Sequence, residues 1–368
     1  MGIPTNDKWI IGVLLMLSAL YVSGAQPEDP ECDYCNQHRR CEVGGNRGVC
    51  MGSTACWSQN GIYVGDCPFG YGVCCMFEYS CGGVTSMEQF YFTNPRSYNP
   101  YCNLQVQINN PRVTQLRLDF KRFSLAQPDG GTVSSPTAYF CNQDRFTVST
   151  SSGGSYGFQA LCGENTGQHI YVPVDASMGT ATVNLNFMLS NGMNPAQWDI
   201  IVTQLDCTSS DSAGLCAPAG CLQYYPSPSG SFESFNFNNG AGHYLGLLNY
   251  NICFKRNNGV CGIQYMGDSF TLATDAMSQP YGDSGCDVQD PSDTMASRDY
   301  LFIPAGRTTS NMQESKFCGN SLASSNYVTS STPGQFYVTF KSDDKRDPII
   351  TGEEIGFHIR YQESGFGC

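Results

Sequence analysis

Thr114-Gln115-Leu116-Arg117-Leu118-Asp119-Phe120 decides the fold class. Leu116, Leu118 and Phe120 alternate with Gln115, Arg117 and Asp119, and a period of two marks a strand with one buried and one wet face. The alternation returns in Thr182-Val183-Asn184-Leu185-Asn186-Phe187 and, in part, in Trp198-Asp199-Ile200-Ile201-Val202-Thr203. Turn signals separate these runs at Pro128-Asp129-Gly130-Gly131, Ser152-Gly153-Gly154 and Asn191-Gly192, the pattern of an antiparallel sandwich. Composition extends this to the whole chain. Its 21 Tyr and 21 Phe against 14% charged residues, with 40 Gly and 19 Pro between short apolar runs, predict an all-β protein of many short strands.

The N-terminus carries Lys8, an apolar block from Trp9 to Leu20, and then Ser23-Gly24-Ala25. This predicts a signal peptide at 1–25, with Gln26 as the new N-terminus. The block is too short to cross a bilayer comfortably, and no later stretch approaches the roughly 20 apolar residues of a membrane span. The expectation is a secreted, extracellular protein without a membrane span. All 20 cysteines lie downstream of the leader, and an even count in an oxidising compartment reads as a disulfide framework. With 19 basic and 32 acidic residues the net charge is −13, which argues against nucleic acid and anionic membranes as partners. There is no Asn-x-Ser/Thr sequon, so no shielding by N-glycans is expected.

Residues 26–80 hold eight of the cysteines, between Cys32 and Cys75, in a stretch too short for a core of its own. The run Cys41, Gly48-Val49-Cys50, Cys56, Cys67, Gly72-Val73-Cys74-Cys75 resembles the clip-type modules of arthropod secreted proteins. The resemblance implies a knot in which adjacent Cys74 and Cys75 take different partners. Cys32 and Cys35 fall outside the six-cysteine pattern, and their pairing stays open. Cys32-x-x-Cys35-x-x-His38-x-x-Cys41 also has zinc-ligand spacing, although oxidation would consume those thiolates as disulfides. A redox role for Cys32 and Cys35 lacks the βαβ context that such chemistry uses.

From Cys81 onward the motifs carry a second resemblance. Cys81-Gly82-Gly83, Asn94-Pro95-x-x-Tyr98-x-x-Tyr101-Cys102, the run ending at Phe123, Cys141-x-x-Asp144 and Leu161-Cys162-Gly163 resemble a CUB domain. That family implies a jelly-roll-like sandwich of two antiparallel sheets over residues 81–207, with bridges Cys81–Cys102 and Cys141–Cys162. Residues 208–220 read as a linker. Residues 221–368 repeat the order of features: Ser269-Phe270-Thr271-Leu272, Cys286, Asp299-Tyr300 and Phe317-Cys318-Gly319. Phe336 to Asp344 and Gly356 to Tyr361 resemble the last two strands of the family. By the same resemblance Cys286 pairs with Cys318. Cys253 and Cys261 flank Asn257-Asn258-Gly259, a hairpin signal, so a short cross-strand bridge between them is expected. Cys207, Cys216, Cys221 and Cys368 are left unassigned.

Chemistry is sparse. Gly282-Asp283-Ser284-Gly285 matches the core of the trypsin nucleophile loop, but none of the four histidines, at 38, 169, 243 and 358, stands in the context of a triad base. Asp and Ser between glycines read as a turn, His169 as structural, and Glu353-Glu354 as solvated loop charge. No catalytic residue is predicted and the chain is not expected to be an enzyme. Many CUB domains hold calcium with three carboxylates and then capture a partner's lysine. The corresponding positions here are Ala126, Asp144 and Asn191 in the first copy, and Ala273, Asp299 and Asp343 in the second, with Asp275 as a possible substitute. Calcium is therefore a weak candidate and no other cofactor is expected.

The resulting expectation is a secreted non-enzymatic protein-binding or carbohydrate-binding protein acting through paired CUB domains, with an extracellular protein or glycan partner. Two alternatives are a protease-associated regulator or pseudo-enzyme without a protease domain, and a disulfide-stabilised extracellular structural component.

Overall fold

The computed structural model describes residues 40–365 except 71, 133–134, 152, 154–155, 191–195, 274–285, 287–297 and 346–353. The leader, Cys32, Cys35, His38, Asn191, Asp275, Ser284 and Cys368 lie outside the described residues. Among the described residues no helix is long and apolar enough to cross a membrane.

The first unit is a four-stranded antiparallel sheet in the order Arg40–Val43, Asn46–Met51, Val73–Met76, Ile62–Asp66, with a helix at Ser53–Ser58. Bridges Cys41–Cys74, Cys50–Cys67 and Cys56–Cys75 run through it. Cys74 and Cys75 are neighbours on one strand, so their side chains leave on opposite faces and meet different partners. Cys41 is consumed by Cys74, which removes the fourth ligand from the zinc reading of Cys32, Cys35, His38 and Cys41. The sulfurs of Cys41, Cys50 and Cys67 lie close together, but as stacked disulfides and not as thiolates.

Two β-sandwiches follow. In the first, one sheet runs Arg145–Thr150, Ala181–Met188, Tyr101–Ile108, Gly83–Thr85. The facing sheet runs His169–Pro173, Val113–Ser124, Gln197–Asp206, Gln89–Thr93, Glu78–Tyr79. Leu116, Leu118 and Phe120 from one sheet and Val183, Leu185 and Phe187 from the other fill the space between, all buried. Each such side chain contributes roughly 1.5–3 kcal/mol on leaving water. Trp198 stacks on Phe187 with ring centroids 4.0 Å apart, joining the two sheets. Asp129–Thr132, expected as a turn, is instead one strand of a bulged hairpin with Ser135–Phe140. Gly131 pairs across the hairpin with Pro136, and Gly130 takes up the bulge.

In the second sandwich one sheet runs Lys316–Phe317, Tyr300–Phe302, Phe336–Lys341, Asn249–Phe254, Cys221–Tyr225. The other runs Arg307–Thr308, Val328–Ser330, Gly262–Thr271, Gly356–Ser364, Ser229–Glu233. A core of four strands in each sheet repeats the order of the first sandwich, while Glu78–Tyr79 in the first copy and Lys316–Phe317 and Arg307–Thr308 in the second have no counterpart among the described residues. Even the odd pairing recurs: Gly83–Thr85 and Cys221–Tyr225 each run parallel to their neighbour while the rest of both four-strand cores is antiparallel.

The repeat explains a correction to the disulfides. Cys253 pairs with Cys221, not with Cys261. Asn249–Phe254 and Gly262–Thr271 lie in opposite sheets, so Asn257-Asn258-Gly259 crosses the sandwich instead of turning a hairpin, and the two cysteines never face each other. Cys221–Cys253 ties the parallel first strand to its neighbour, as Cys81–Cys102 does in the first copy. Cys141–Cys162 and Cys286–Cys318 form the second equivalent pair. Cys207–Cys216 closes a small loop between the sandwiches, and Cys261 is also disulfide-bonded.

Candidate functional site

Two places in this fold gather polar side chains away from water: an acidic edge on each sandwich, and the junction between the sandwiches. At the edge of the first copy, buried Asp144 accepts the Ala126 amide at 3.0 Å on Oδ2, and the Ser190 amide and hydroxyl at 2.8 and 3.0 Å on Oδ1. Ala126, at the position of a family carboxylate, presents only its backbone. Asp144 is thus a loop clamp, tying the chain after Phe123 to the end of Ala181–Met188.

The second copy is richer. Buried Asp299 accepts the Tyr244 hydroxyl at 2.6 Å and the Asp343 amide at 2.7 Å. Asp343 accepts the Arg298 and Lys345 amides at 3.0 and 2.8 Å. Burial pushes the Asp343 carboxyl above the ordinary carboxylate range. Tyr244 is held well above its ordinary value, first by burial and then by Asp299 and Glu354. Glu354 is buried and not solvated loop charge, because the chain passes over Tyr244 just ahead of Gly356–Ser364, where the Glu354 carbonyl accepts the Tyr244 amide at 3.2 Å. Ala273 again offers only an amide, given to the Tyr244 hydroxyl at 2.9 Å. Every carboxylate oxygen of Asp299 and Asp343 already meets a protein donor. Among the described residues the carboxylates of both edges serve as hydrogen-bonded corners.

The junction is built from groups that look like surface residues in sequence. Asn236, in the left-handed region at φ 61°, is fully buried. It donates its amide to Asn165 Oδ1 at 2.9 Å and accepts the Glu164 amide at 2.8 Å. Its Nδ2 donates to Gln127 Oε1 and the His243 carbonyl at 3.0 and 2.9 Å. Gln223 donates to Gln168 Oε1 at 3.2 Å, and Gln168 donates onward to the Ser234 carbonyl at 3.1 Å. His169 Nε2 accepts the Tyr224 amide at 3.0 Å, with Tyr225 edge-on at 5.0 Å and Tyr171 at 5.7 Å. Burial first, and then the Arg117 charge, depress the His169 pKa to about 3, so the ring is neutral. Gly163 packs so closely on the Asn236 side chain that a Cβ there would collide with it. A junction of this kind favours one relative orientation, because the buried groups of Asn236, Gln168 and His169 find these partners only there.

The segment between the sandwiches is pinned too. Gln115 donates to the Ala217 carbonyl and accepts its amide at 2.6 and 3.0 Å, and the Tyr171 hydroxyl donates to the Leu215 carbonyl at 2.7 Å. On the other side, Arg47 of the N-terminal unit pairs with Asp119 at 3.2 Å, and the Arg47 amide donates to the Tyr91 hydroxyl at 2.8 Å.

Residues 218–364 match the family model of the animal CUB domain. The chain carries a CUB domain. Its two sheets are those that flank Phe232, Phe254 and Tyr361, and the sandwich before it shares its strand order. No curated protein matches the chain. Among solved structures, the CUB1-EGF-CUB2 domains of rat MASP-1 are 13% identical, covering 78% of this chain and 99% of that one with a TM-score of 0.23. The corresponding human MASP-1/3 region is 13% identical, covering 75% and 100% with a TM-score of 0.24. The strand order, not these overlaps, defines the fold.

Sequence reasoning singled out the carboxylates and missed Asn236, Gln168, Gln223 and the ring partners of His169. One signal was available. Asn236 sits between Phe235 and Phe237, and a polar residue flanked by large aromatics suggests burial with partners.

Proposed function

We propose that the protein is a secreted, non-enzymatic protein-binding scaffold. In this reading residues 26–80 form a clip-like module, 81–207 and 221–368 are two CUB domains, and 1–25 is removed on secretion. CUB domains typically mediate protein–protein contacts in extracellular proteins, and the described disulfides suit that compartment. The observation that carries the reading is the buried polar junction around Asn236 and His169. It fuses the sandwiches, so that loops from both present one continuous surface. Capture of partners from the source fluid on the immobilised mature chain, with and without a calcium chelator, tests it. A single partner retained in both conditions is expected. Peptide hydrolysis by the purified chain, abolished by Ser284→Ala, would overturn it.

A protease-associated role is the second reading. It is favoured by the three-bridge unit in which Cys74 and Cys75 take separate partners, clamped to the first sandwich by Arg47. Co-purification with an active serine protease would select it.

A further inference from the structure

An open cleft of about 520 Å³ lies between the two sandwiches. Tyr139 to Asn142, Arg145, Thr147 and Met188 line it from the first, and Leu245 to Leu247 from the second. Close backbone contacts bring these walls together. The Gly246 amide donates to the Tyr139 carbonyl at 2.9 Å and the Ala138 amide to the Asp344 carbonyl at 3.2 Å. A Cβ on Gly246 would collide with Ala138, and Tyr139 stacks on His243 at 4.2 Å.

Two features of this cleft stand out. Arg145 is the only charged side chain among the described lining residues. Its guanidinium contacts the Met188 sulfur at 3.2 Å and meets no carboxylate among the described residues, in a protein with 32 acidic and 19 basic residues. Leu247 stands at φ 57°, in the left-handed region that a leucine avoids, and leaves 42% of its surface in water. Hydrogen bonds from the Leu247 amide to the Asp343 carbonyl and from the Leu248 amide to Ser342 Oγ, both 2.9 Å, hold it there. A strained backbone that displays an apolar side chain at the mouth of a cleft is characteristic of binding sites.

We propose that this cleft binds an extended acidic peptide segment of a partner protein, in which a carboxylate side chain adjoins an apolar one. The carboxylate forms a bidentate pair with Arg145, and the apolar side chain packs between Leu247 and Met188. Asn142, Thr147 and Gln159 supply amide and hydroxyl groups for the peptide backbone. The proposal rests on the protein-binding reading above and gives it a place and a ligand chemistry.

Fluorescence anisotropy of a labelled octapeptide alternating Glu and Leu, against Lys/Leu and Glu/Gly versions, tests it on the intact mature chain. The Glu/Leu peptide should bind at least tenfold tighter than either control. Arg145→Glu should weaken it at least tenfold. Leu247→Gly separates binding from folding, because glycine relieves the positive φ: its unfolding midpoint should hold or rise while affinity falls severalfold. Equal binding of the three peptides, or unchanged affinity in either variant, would overturn the proposal. Wild type and Arg145→Glu used side by side as capture baits keep the two levels apart. The same partner retained by both would leave the protein-binding reading standing and remove the cleft from it.

Discussion

Acid should loosen this protein through one imidazole. His169 is buried at the junction and accepts the Tyr224 amide, so the folded chain keeps it neutral down to about pH 3 against an ordinary 6.5. Asp119, paired across the strands from His169, offsets only part of the cost of burial and of Arg117. A depressed folded pKa means that the unfolded chain takes up the proton first. The stabilisation is therefore complete above pH 6.5 and is lost as pH falls from there toward 3. At pH 5, about 1.5 units below the unfolded value, the loss comes to about 2 kcal/mol at about 1.4 kcal/mol per unit. Urea unfolding at pH 7 and pH 5, followed by the fluorescence of buried Trp198, measures it in the wild type and in His169→Gln. Glutamine removes the titrating group and leaves an oxygen for the Tyr224 amide. Carboxylate titration is common to both chains and cancels in the difference. The wild type should lose about 2 kcal/mol more than the variant over this interval. Equal losses in the two would refute the reasoning.

Gly163→Ala, at φ 74° and against the Asn236 side chain, should cost roughly 1–3 kcal/mol; a stability within error of the wild type would mean that the junction is looser than described. Removing Cys221–Cys253 with two alanines opens a loop of sequence separation 32 and should cost about 4 kcal/mol on the chain-entropy estimate. Peptide mapping under non-reducing conditions should recover Cys221 and Cys253 joined, and a Cys253–Cys261 peptide would contradict the crossing of the sandwich. Because the oxygens of Asp299 and Asp343 are engaged by protein donors, EDTA should leave the unfolding midpoint unchanged. A rise on adding millimolar calcium would show that the acidic edge takes an ion.

The sandwich class was legible because alternation is a local property: Leu116, Leu118 and Phe120 declare a buried face without reference to any partner. The repeat was legible for the same reason, through Phe336 to Lys341 and Gly356 to Tyr361. The candidate site was legible only in its carboxylates. Asp144, Asp299 and Asp343 stood out by position, but whether an oxygen is open to an ion or already holds an amide depends on loops distant in sequence. Ser190 reaches Asp144 across 46 residues, and Tyr244 reaches Asp299 across 55.

What the chain determined by itself, then, is the all-β class, the doubled order of strands and the dense disulfide framework, since periodicity and cysteine count report on each segment alone. Tertiary structure decided which sheet each strand joins, and with it the pairing of Cys253 to Cys221 and the burial of Asn236, Gln168 and His169. Both sheets of a sandwich bury the same kind of face, so the pattern of one strand does not name its neighbour. A polar side chain looks like surface until a second unit closes over it.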